Sequence, residues 1–591
     1  LNIIEKLAFD KIIKNWTGFG IALQAYGKRS INVIHWFNKI LDKREKMHLR
    51  LVKGAYWDYE IKHAQVLGYE DYPVYSKKSL TDISFLLCAK EILKNEKIYA
   101  KFATHNAHTI SSVHQLGQGK DYEFQRLYGM GELLYQSAEK VLNLEKKPSV
   151  YAPIGSYKDL LPYLVRRLLE NGANSSFINR LLDPETDANW LAENPAIRIE
   201  KEKIDIPLPK NIFTERKNSS GFDLSENSNL ENLEKSISAH KKNKINAESI
   251  YVNRDEKEKV GQKVYSIANN EEIGTAIFDD PTNVKSALEN FASEKWSKYS
   301  VQERSQILIK ISDDIEKDPS ELIFYLLNEA GKTIQNAIDE IREAIDFLRY
   351  YSRQIIEIHG KKSLQGPTGE INKISYSPKG NYLCISPWNF PVAILIGQIS
   401  AALACGNNVV VKPSENTSIL GYLIVKKFHE NGVPIETLQL ILGDGMYGDV
   451  LTKVNTIHGV AFTGSLPTAK KIQTNLIQHH KEIVPLIAET GGINAMIVDS
   501  SALLEQVTDD VVRSAFDSAG QRCSALRVLC IQEEIYDELI EMIKGNMEIQ
   551  EIGDPNNFST DIGPIINKHA LQKLNDYIKG CKDRGMEVHN C

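Results

Sequence analysis

The feature that most restricts the fold of this chain is a regular alternation of strand-like and helical patterns over its first 182 residues. Short apolar runs typical of β-strands occupy residues 18–25, 48–53, 98–104, 122–127 and 149–153. Apolar residues at helical spacing fill the intervals, as in residues 31–41 and 80–93. Repeated strand–helix units predict a parallel α/β sheet, either part of a (β/α)8 barrel or a doubly wound sheet.

Polar and aromatic residues gather where these strands end, at Gln24, Tyr26, residues 50–57, residues 104–108, Gln125 and Tyr151. Barrel enzymes keep their chemistry at the C-terminal ends of the strands, so this clustering favours a barrel. Because a closed ring of this kind needs eight strands, the five strands of this region predict a partial barrel.

A helix predicted over residues 157–171 places four side chains on one stripe at spacings i, i+3, i+4 and i+7, namely Tyr163, Arg166, Arg167 and Glu170. Two guanidinium groups beside an aromatic ring suit a small carboxylate, which each can bind through a pair of hydrogen bonds. The alternative is a solvated face held together by Arg–Glu ion pairs.

A second α/β region follows a linker. Over residues 183–247, mixed charges, prolines and an Asn/Ser-rich stretch predict a linker that is partly extended and partly ordered against its neighbours. Beyond it, helical patterns occur near residues 282–291, 302–315 and 320–351, followed by alternating strands and helices over residues 382–531. We therefore divide the chain into residues 1–182, 183–247 and 248–591.

The best nucleophile candidate is Cys523, in the string FDSAGQRCSAL (residues 516–526). A helical segment ends there in small and polar residues, and an apolar strand is predicted over residues 526–531. A loop lined with backbone N–H groups, with Arg522 beside the thiol, favours the reactive thiolate. The other six cysteines are predicted to be small buried hydrophobes.

Two further strings supply partners for a thiol that oxidises an aldehyde. In ISPWNFP (residues 385–391), two prolines stiffen the loop around Asn389, whose amide can donate to an oxyanion. In LIAETGGIN (residues 486–494), Glu489 ends a strand, and its carboxylate can activate water. Taken singly, the Asn would be an ordinary turn residue and the Glu a strand-end charge.

Two strand ends carry residues suited to a nucleotide. The run 409–411 ends in Lys412 and Glu415, a cation and an anion suited to two ribose hydroxyls, and the anion disfavours a 2′-phosphate, so NAD is preferred over NADP. Residues 462–465 open a helix where Ser465 and free N–H groups can receive a pyrophosphate. An ordinary helix N-cap would look the same.

Three short patterns suggest ligand sites but are weak alone. His105 and His108 are spaced like a metal-binding pair, yet no neighbouring Cys or carboxylate completes the set, so we expect no metal. Residues 330–333 (AGKT) resemble the end of a phosphate-binding loop, but the earlier glycine is absent and the segment lies inside a helical pattern. Residues 443–448 match GxGxxG after a strand, but no acidic residue is clearly placed about 20 positions later.

Composition excludes several classes of protein. The chain has 42% hydrophobic and 25% charged residues, typical of an ordinary soluble protein, and its formal net charge of −6 argues against a nucleic-acid site. Seven cysteines without a CxxC pair suit a reducing cytosol. No apolar run reaches the length of about 18 residues that predicts a transmembrane helix.

The chain resembles the aldehyde dehydrogenase superfamily in three motifs that occur in the same order. These are Asn389, then Glu489 with the glycines Gly491 and Gly492 two and three positions later, and then Cys523. The resemblance implies that these three side chains are, in turn, the oxyanion donor, the base for water and the nucleophile, with Ser524 touching the substrate. It also implies an NAD site formed by Ser386, Pro387, Trp388, Lys412, Ser414, Glu415, Phe462, Thr463, Gly464, Ser465 and Gly491.

Four strings of the first region are similar to the proline dehydrogenase domain of the proline utilization A family: RLVKGAYWD, FATHNAHT, YAPIG and YLVRRLLENGANSSF, which begin at residues 50, 102, 151 and 163. The resemblance implies a barrel that binds FAD and oxidises L-proline. The implied contacts to proline are Arg166 and Arg167 on its carboxylate, and a wall of Tyr151, Tyr163, Leu51 and Tyr56. The implied FAD residues are Gln24, Arg50, Val52, Gly54, Trp57, Thr81, His105, Asn106, Gln125, Glu170 and Phe177.

The bifunctional resemblance spans nearly the whole chain and implies two linked oxidations. FAD-dependent oxidation of L-proline gives Δ1-pyrroline-5-carboxylate, and NAD-dependent oxidation of L-glutamate-γ-semialdehyde gives L-glutamate through a Cys523 thioester. The resemblance also implies a quinone or membrane electron acceptor, a homo-oligomer, and a cytoplasmic protein that meets the inner membrane peripherally when reduced.

Two alternatives stay open. One is a monofunctional aldehyde dehydrogenase with a non-catalytic barrel, and the other is a DNA-binding regulator of proline use. Family segments expected on both sides of this sequence are missing from it, so we expect the 591-residue chain alone to have weak or no activity in either reaction.

Overall fold

The computed structural model describes residues 1–156, 160–161, 163, 193–201, 206–254, 259–289, 291–360 and 363–590. Four residues assigned above to the proline and FAD sites lie outside these ranges: Arg166, Arg167, Glu170 and Phe177. The chain divides into two compact units, Leu1–Ile212 and Phe213–Cys591.

The N-terminal unit contains five strands, β1 (Gly20–Gln24), β2 (Met47–Val52), β3 (Ile98–Ala103), β4 (Tyr122–Leu127) and β5 (Ser149–Tyr151). Its described helices are α1 (Asn2–Ala8), α2 (Ser30–Leu41), α3 (Trp57–Leu67), α4 (Lys78–Ile92), α5 (Ala107–Leu116), α6 (Glu132–Leu142) and α7 (Pro195–Lys201). The strands pair in parallel and in chain order, β1-β2-β3-β4-β5. This order is that of consecutive barrel units, since in a doubly wound sheet the order reverses. The predicted fold class is confirmed.

Alternation along the strands separates a core face from a polar face of this sheet. In β2, Leu49 and Leu51 are fully buried, whereas His48 and Arg50 are only half-buried. The buried side chains belong to an apolar core that includes residues of α2 and α4, among them Phe85. Because successive side chains of a strand point to opposite faces, the other face is left to polar residues.

The second unit begins with strands β6 (Ile245–Glu248), β7 (Lys259–Tyr265) and β8 (Glu272–Asp279), which pair in the order β6-β8-β7. Two short strands, β9 (Ser363–Leu364) and β10 (Asn372–Lys373), form an antiparallel pair. The helices of this part are α8 (Asn227–Ser238), α9 (Pro281–Glu289), α10 (Val301–Lys317), α11 (Ser320–Asn328) and α12 (Ile334–Ile358).

A second parallel sheet follows, with strands β11 (Asn381–Ile385), β12 (Asn408–Lys412), β13 (Leu438–Leu440), β14 (Ile457–Gly464) and β15 (Leu486–Thr490). Its helices are α13 (Ala393–Ala404), α14 (Ser418–Glu430), α15 (Gly445–Leu451) and α16 (Leu466–His479). The strand order is β13-β12-β11-β14-β15, so the chain runs outward from β11 in both directions. The point between β11 and β14 is therefore a topological switch point, where open α/β sheets bind their ligands.

The last elements are the parallel strands β16 (Asn494–Val498) and β17 (Leu526–Ile531), with α17 (Leu504–Phe516), α18 (Tyr536–Glu548) and α19 (Lys568–Asp583). A loop between α17 and β17 carries Cys523. The helix and strand predicted on either side of the nucleophile are thus both present.

The prediction of a single helix over residues 320–351 is wrong. The chain forms α11 and α12, separated by a turn that contains the AGKT string, and Gly331 in this turn has a φ of 68°. A Cβ at Gly331 would lie 3.0 Å from Pro564 Cγ, so both the backbone conformation and the neighbouring chain favour glycine here.

Part of the predicted linker is fastened to the second unit. Arg216 lies 2.9 Å from Asp346 of α12, and the Ser219 hydroxyl donates to the same carboxylate at 2.9 Å. The carbonyl oxygen of Asn218 accepts a hydrogen bond from Arg349, which also pairs with Glu316. These contacts order the residues that directly follow Ile212.

The expectation that six cysteines are buried is confirmed for Cys88 and Cys384. It is wrong for Cys405 and Cys530, which are exposed, and for Cys581, which is half-buried, whereas Cys591 lies outside the described residues. Burial raises the pKa of the Cys384 thiol to about 12, so this thiol is unreactive at neutral pH. Within the described part of the chain, no helix combines the length and the apolar character needed to cross a membrane.

Candidate active site

The carboxyl ends of four parallel strands bring the predicted strings to one edge of the second sheet. β11 ends at Ile385 and leads into Asn389, β12 ends at Lys412, and β14 ends at Gly464. β15 carries Glu489 one residue before its end. The predicted NAD residues and two of the three predicted catalytic residues therefore follow neighbouring strands beside the switch point.

Lys412 and Glu415 lie together at the end of β12. The Lys412 side chain is almost fully buried, and its Nζ lies 3.7 Å from Glu415 Oε2. Burial lowers the pKa of Lys412, and the nearby carboxylates of Glu415 and Asp444 oppose that shift. The Ser414 hydroxyl caps the next short helix by accepting from Asn416 N at 3.3 Å. Glu415 itself is exposed, so its carboxylate is accessible to the ribose hydroxyls of the predicted NAD.

Two buried polar atoms beside the switch point have no hydrogen-bond partner within the described residues. One is Ser386 Oγ, and the other is Oε1 of Gln398, whose Nε2 donates to Thr463 Oγ1 at 3.1 Å. Ser465 caps α16 and accepts from Thr468 N at 3.3 Å. Because buried polar atoms are seldom left unsatisfied, this edge suits a polar ligand, and its residues fit NAD.

The remaining predicted NAD residues lie at the ends of the same strands or directly after them. Pro387 and Trp388 follow β11, Phe462 is buried within β14, and Gly491 directly follows β15. A Cβ at Gly491 would meet nothing within 4 Å, so the backbone there is open to a ligand.

The loop that carries Cys523 is strained. Ser518 and Ala519 have φ angles of 54° and 56°, in the left-handed region that costs energy for residues other than glycine. The Arg522 guanidinium pairs with Asp517 at 3.1 Å and donates to carbonyls at the end of α17. These hydrogen bonds fix the Arg522 guanidinium against the end of α17, and its effect on the Cys523 thiol stays a prediction.

The structure brings Asn389 to this loop. Asn389 Nδ2 donates to the carbonyl oxygen of Gln521 at 3.0 Å, two residues before Cys523. Asn494 Nδ2 also fixes the backbone of this loop, because it donates to the carbonyl oxygens of Cys523 at 2.8 Å and Ala525 at 2.9 Å. An amide nitrogen has two donors, so Asn389 retains one hydrogen for an oxyanion.

Gln521 and Asn494 were not predicted as site residues, although both stand inside the strings quoted above. Gln521 Nε2 donates to the Pro564 carbonyl at 3.3 Å, and its Oε1 accepts from Ile566 N at 2.9 Å. The only signal available was the position of Gln521 beside the nucleophile, because its partners are 43 and 45 residues away in the chain.

Three of the predicted aldehyde-site residues, Cys523, Ser524 and Glu489, are exposed. Glu489 pairs in register with Thr463 of β14, on the outermost strand of the sheet. Solvent access suits a nucleophile that must meet a substrate and a carboxylate that must meet water.

The polar face of the N-terminal sheet carries four predicted FAD residues, Gln24, Arg50, Val52 and Gln125. The Arg50 guanidinium stacks 4.4 Å from the centre of the Tyr151 ring, and its buried Nε has no hydrogen-bond partner among the described residues. Gln24 Oε1 accepts from Ala55 N at 3.0 Å and so closes the loop after β2. A stacked cation with an unsatisfied N–H fits a flavin with its polar ring edge.

Leu51 is placed differently from the prediction. Its side chain is fully buried in the core against the helices, on the face opposite to Arg50, because strand residues alternate. We therefore remove Leu51 from the predicted wall around proline. Tyr56 is exposed, and Tyr151 and Tyr163 are half-buried.

The other predicted FAD residues within the described ranges lie after the ends of β2 and β3 or on α4. Gly54 has a φ of 139°, and a Cβ there would lie 2.5 Å from the Tyr26 ring, so only glycine fits. Trp57 Nε1 donates to the Tyr75 carbonyl at 2.9 Å, and Thr81 is buried in α4.

His105 and Asn106 follow β3. Asn106 Oδ1 caps α5 by accepting from Thr109 N at 2.9 Å, and His105 Nε2 accepts from Leu127 N at 3.4 Å. Burial, helped by the charge of Arg126, lowers the pKa of His105, so this imidazole is neutral at pH 7. Within the described residues, no three His, Cys, Asp or Glu side chains converge as a metal ion requires.

Comparison with known proteins gives two matches within the chain. Residues 251–590 match the aldehyde dehydrogenase family, and residues 1–180 match proline dehydrogenase. The chain is 41% identical over 614 residues to the Bifunctional protein PutA of Salmonella typhimurium, covering 100% of this chain and 46% of that protein. It is 32% identical over 350 residues to 1-pyrroline-5-carboxylate dehydrogenase of Oceanobacillus iheyensis, covering 58% of this chain and 66% of that protein.

A solved structure of proline utilization A (PutA) with proline bound in remote sites is also similar. The TM-score is 0.89 at 41% identity, over 98% of this chain and 57% of that chain. The present chain thus spans about half the length of the bifunctional relatives that it matches. With one family matching more than half of its residues, the chain belongs to the aldehyde dehydrogenase family, and it carries a proline dehydrogenase domain ahead of that part in the arrangement of proline utilization A.

Proposed function

We propose that this protein catabolises proline in two oxidations. An FAD-dependent step converts L-proline to Δ1-pyrroline-5-carboxylate, and an NAD-dependent step converts L-glutamate-γ-semialdehyde to L-glutamate. The observation that carries the proposal is the contact of Asn389 with the Cys523 loop beside the switch point of the sheet, on a chain that also has a proline dehydrogenase domain.

In the aldehyde site, Cys523 and Asn389 act on the same carbonyl group. The Cys523 thiolate adds to the aldehyde carbon, and the free Asn389 amide hydrogen stabilises the oxygen that becomes negative. Loss of hydride from that carbon leaves a thioester on Cys523. Glu489 takes a proton from water, which attacks the thioester, releases L-glutamate and restores the thiol.

The residues beside the switch point would hold NAD. Glu415 and Lys412 suit the adenosine ribose, and the N-cap of α16 at Ser465 suits the pyrophosphate. Bound NAD supplies the acceptor for the hydride. Ser524, next to the nucleophile, contacts the substrate.

In the proline dehydrogenase domain, Arg166 and Arg167 would bind the carboxylate of L-proline, with Tyr151, Tyr163 and Tyr56 around the ring. Arg50, Gln24 and Gln125 on the polar sheet face, with the neutral His105, would hold FAD, which supplies the hydride acceptor. We further propose a quinone or membrane acceptor for the electrons, a cytoplasmic protein that reaches the inner membrane when reduced, and a homo-oligomer.

The proposal is tested with purified full-length protein. We expect a flavin absorption spectrum, reduction of an artificial electron acceptor by L-proline, and NADH formation from L-proline and NAD when that acceptor is also supplied to reoxidise the flavin. Cys523→Ser should lose NADH formation and keep acceptor reduction, whereas Arg166→Met with Arg167→Met should lose acceptor reduction and keep NADH formation from the semialdehyde.

Two results would contradict parts of the proposal. A protein without flavin that still oxidises the semialdehyde would indicate an aldehyde dehydrogenase with a non-catalytic barrel. NADH formation that survives Cys523→Ser would contradict the proposed nucleophile.

A further inference from the structure

The AGKT turn, which resembles a phosphate loop in the sequence, has a different set of contacts in the structure. Lys332 is 4% exposed, and its Nζ lies 3.3 Å from Glu340 Oε2 and 3.9 Å from the centre of the Phe390 ring. Phe390 directly follows Asn389. The turn therefore places a buried cation against the loop that carries the oxyanion donor.

Glu340 also forms hydrogen bonds with the chain that follows Asn389. Its buried Oε1 accepts from Val392 N at 2.8 Å and Ala393 N at 3.4 Å, at the first turn of α13. A carboxylate at a helix N-terminus satisfies N–H groups that lack helical partners. Lys332 and Glu340 thus fix the chain one and three residues after Asn389.

Helix α12, which carries Glu340, also contacts the loop that carries Cys523. Asn336 Nδ2 donates to Asp517 Oδ1 at 2.6 Å, and its Oδ1 accepts from the Ser518 hydroxyl at 3.0 Å. These partners stand at the start of the strained loop before Cys523. Asn336 and Glu340 are four residues apart on α12, so they share one face and are separated by about 6 Å along the helix axis.

We propose, on the basis of the function proposed above, that the first turns of α12 set the distance between the two reacting loops, with Asn336 positioning Cys523 and the Lys332–Glu340 pair positioning Asn389. None of the three touches the reacting atoms. They act as positioning residues, because a displacement of about 1 Å in a reacting group is enough to cost about 10²-fold in rate.

The variant Lys332→Met with Glu340→Gln tests the pair. It removes both charges together, since removal of one partner would leave a buried charge unpaired, and the Gln side chain can still accept from Val392 N. The matched control is Lys427→Met with Asp314→Asn, an ion pair of 3.1 Å between α14 and α10, which carry neither loop.

Two reactions of Cys523 separate positioning from general damage. Acylation by p-nitrophenyl acetate forms an oxyanion and needs Asn389, whereas alkylation by iodoacetamide forms none. We expect the paired variant to slow acylation by about 10- to 100-fold, with alkylation, NAD affinity and melting temperature close to those of the control.

A double-mutant cycle then locates the effect. In an Asn389→Ala background the paired variant should slow acylation no further, because the donor that it positions is already gone. Asn336→Leu should slow both acylation and alkylation, because it acts through the Cys523 loop. If the paired variant does not fold, Phe390→Leu, which keeps both charges, should give a smaller loss of acylation alone.

Unchanged acylation in the paired variant, or an equal further loss in the Asn389→Ala background, overturns the inference. Neither reaction needs NAD or the semialdehyde. A full-length protein that formed no NADH would therefore refute the proposed function while these rates still decided the role of α12.

Discussion

At the residue scale, the aldehyde site combines one fixed side chain with two accessible ones. Asn389 is held by its bond to Gln521, whereas Cys523 and Glu489 are exposed. A hydrogen-bond donor is most effective when it is preorganised, while a nucleophile and a base must meet incoming molecules. The contacts around each residue therefore match the role proposed for it.

Replacement of Glu489 by Gln should separate the two halves of the aldehyde reaction. Thioester formation needs no base at this position, so one equivalent of NADH should appear in a rapid burst, followed by turnover slower than in the wild type by about 10²-fold or more. Stopped-flow absorbance measures the burst, and mass spectrometry should find the acyl group on Cys523. Glu505→Gln, on α17, is the control, and a steady-state rate equal to that of the wild type would exclude Glu489 as the base.

Glu329 is a second residue with a clear electrostatic consequence. It is fully buried, and its two carboxyl oxygens accept from Ile419 N at 2.8 Å and Leu420 N at 2.9 Å at the start of α14. Burial raises its pKa to about 8, although the two backbone hydrogen bonds oppose the shift. Because the folded state binds this proton more tightly than the unfolded state, its contribution to stability is complete below about pH 4.5 and is lost as the pH rises through about 8.

We therefore expect Glu329→Gln to change the pH dependence of stability. The wild type should exceed the variant in free energy of unfolding by more at pH 5 than at pH 9, because only the wild type loses the protonation term over that interval. Urea titrations at several pH values measure the difference. Parallel curves for the two proteins would show that Glu329 has an ordinary pKa.

At the scale of elements, local patterns in the sequence determine most of the strands but few of the contacts between them. Strand β4 and strand β17 have the predicted bounds, because alternating or continuous apolar runs report directly on burial. The break between α11 and α12 was not predicted, because Gly331 stands between two strongly helical segments. Its positive φ, and the proximity of Pro564 that leaves little room for a Cβ, are visible only in the structure. The role of Glu340 was not predicted either, because in the sequence it is one acidic residue among several on a long helix, and its partners Val392 and Ala393 are more than 50 residues away.

The turn between α11 and α12 gives a prediction about stability. Gly331→Ala should lower the free energy of unfolding by about 1–2 kcal/mol, because alanine is strained at a positive φ and its Cβ would press on Pro564. Gly545→Ala is the matched control: it lies within α18, where a Cβ would meet nothing within 4 Å, and should stabilise by up to about 1 kcal/mol. Urea unfolding compares the two, and equal stability of Gly331→Ala and the wild type would contradict the strain.

At the scale of the whole molecule, a proline dehydrogenase domain and an aldehyde dehydrogenase domain, for which we propose consecutive reactions, are joined in one chain. In the proposed sequence, the product of the first reaction is a labile imine that hydrolyses to the substrate of the second. Joining the two domains raises the local concentration of that intermediate near the second site. We therefore expect it to be passed on before it equilibrates with the solution.

A mixture of two variants tests this transfer. Cys523→Ser retains the first reaction and Arg166→Met with Arg167→Met retains the second, so NADH forms from L-proline only after the intermediate diffuses between molecules. The wild type should show a shorter lag in NADH formation than the mixture at equal activities of each step. Equal lags would show that the intermediate is released.

The left-handed pair Ser518–Ala519 has a consequence for laboratory evolution. These residues have a backbone conformation that glycine or asparagine adopts more easily, and the hydrogen bond from the Ser518 hydroxyl to Asn336 helps to maintain it. A library selected only for heat tolerance should accumulate Gly or Asn at position 519, whereas a library selected for growth on proline should retain whichever residues keep the thiol correctly aimed. A difference between the two libraries at position 519 would show that backbone strain in this loop is retained because selection for activity requires it.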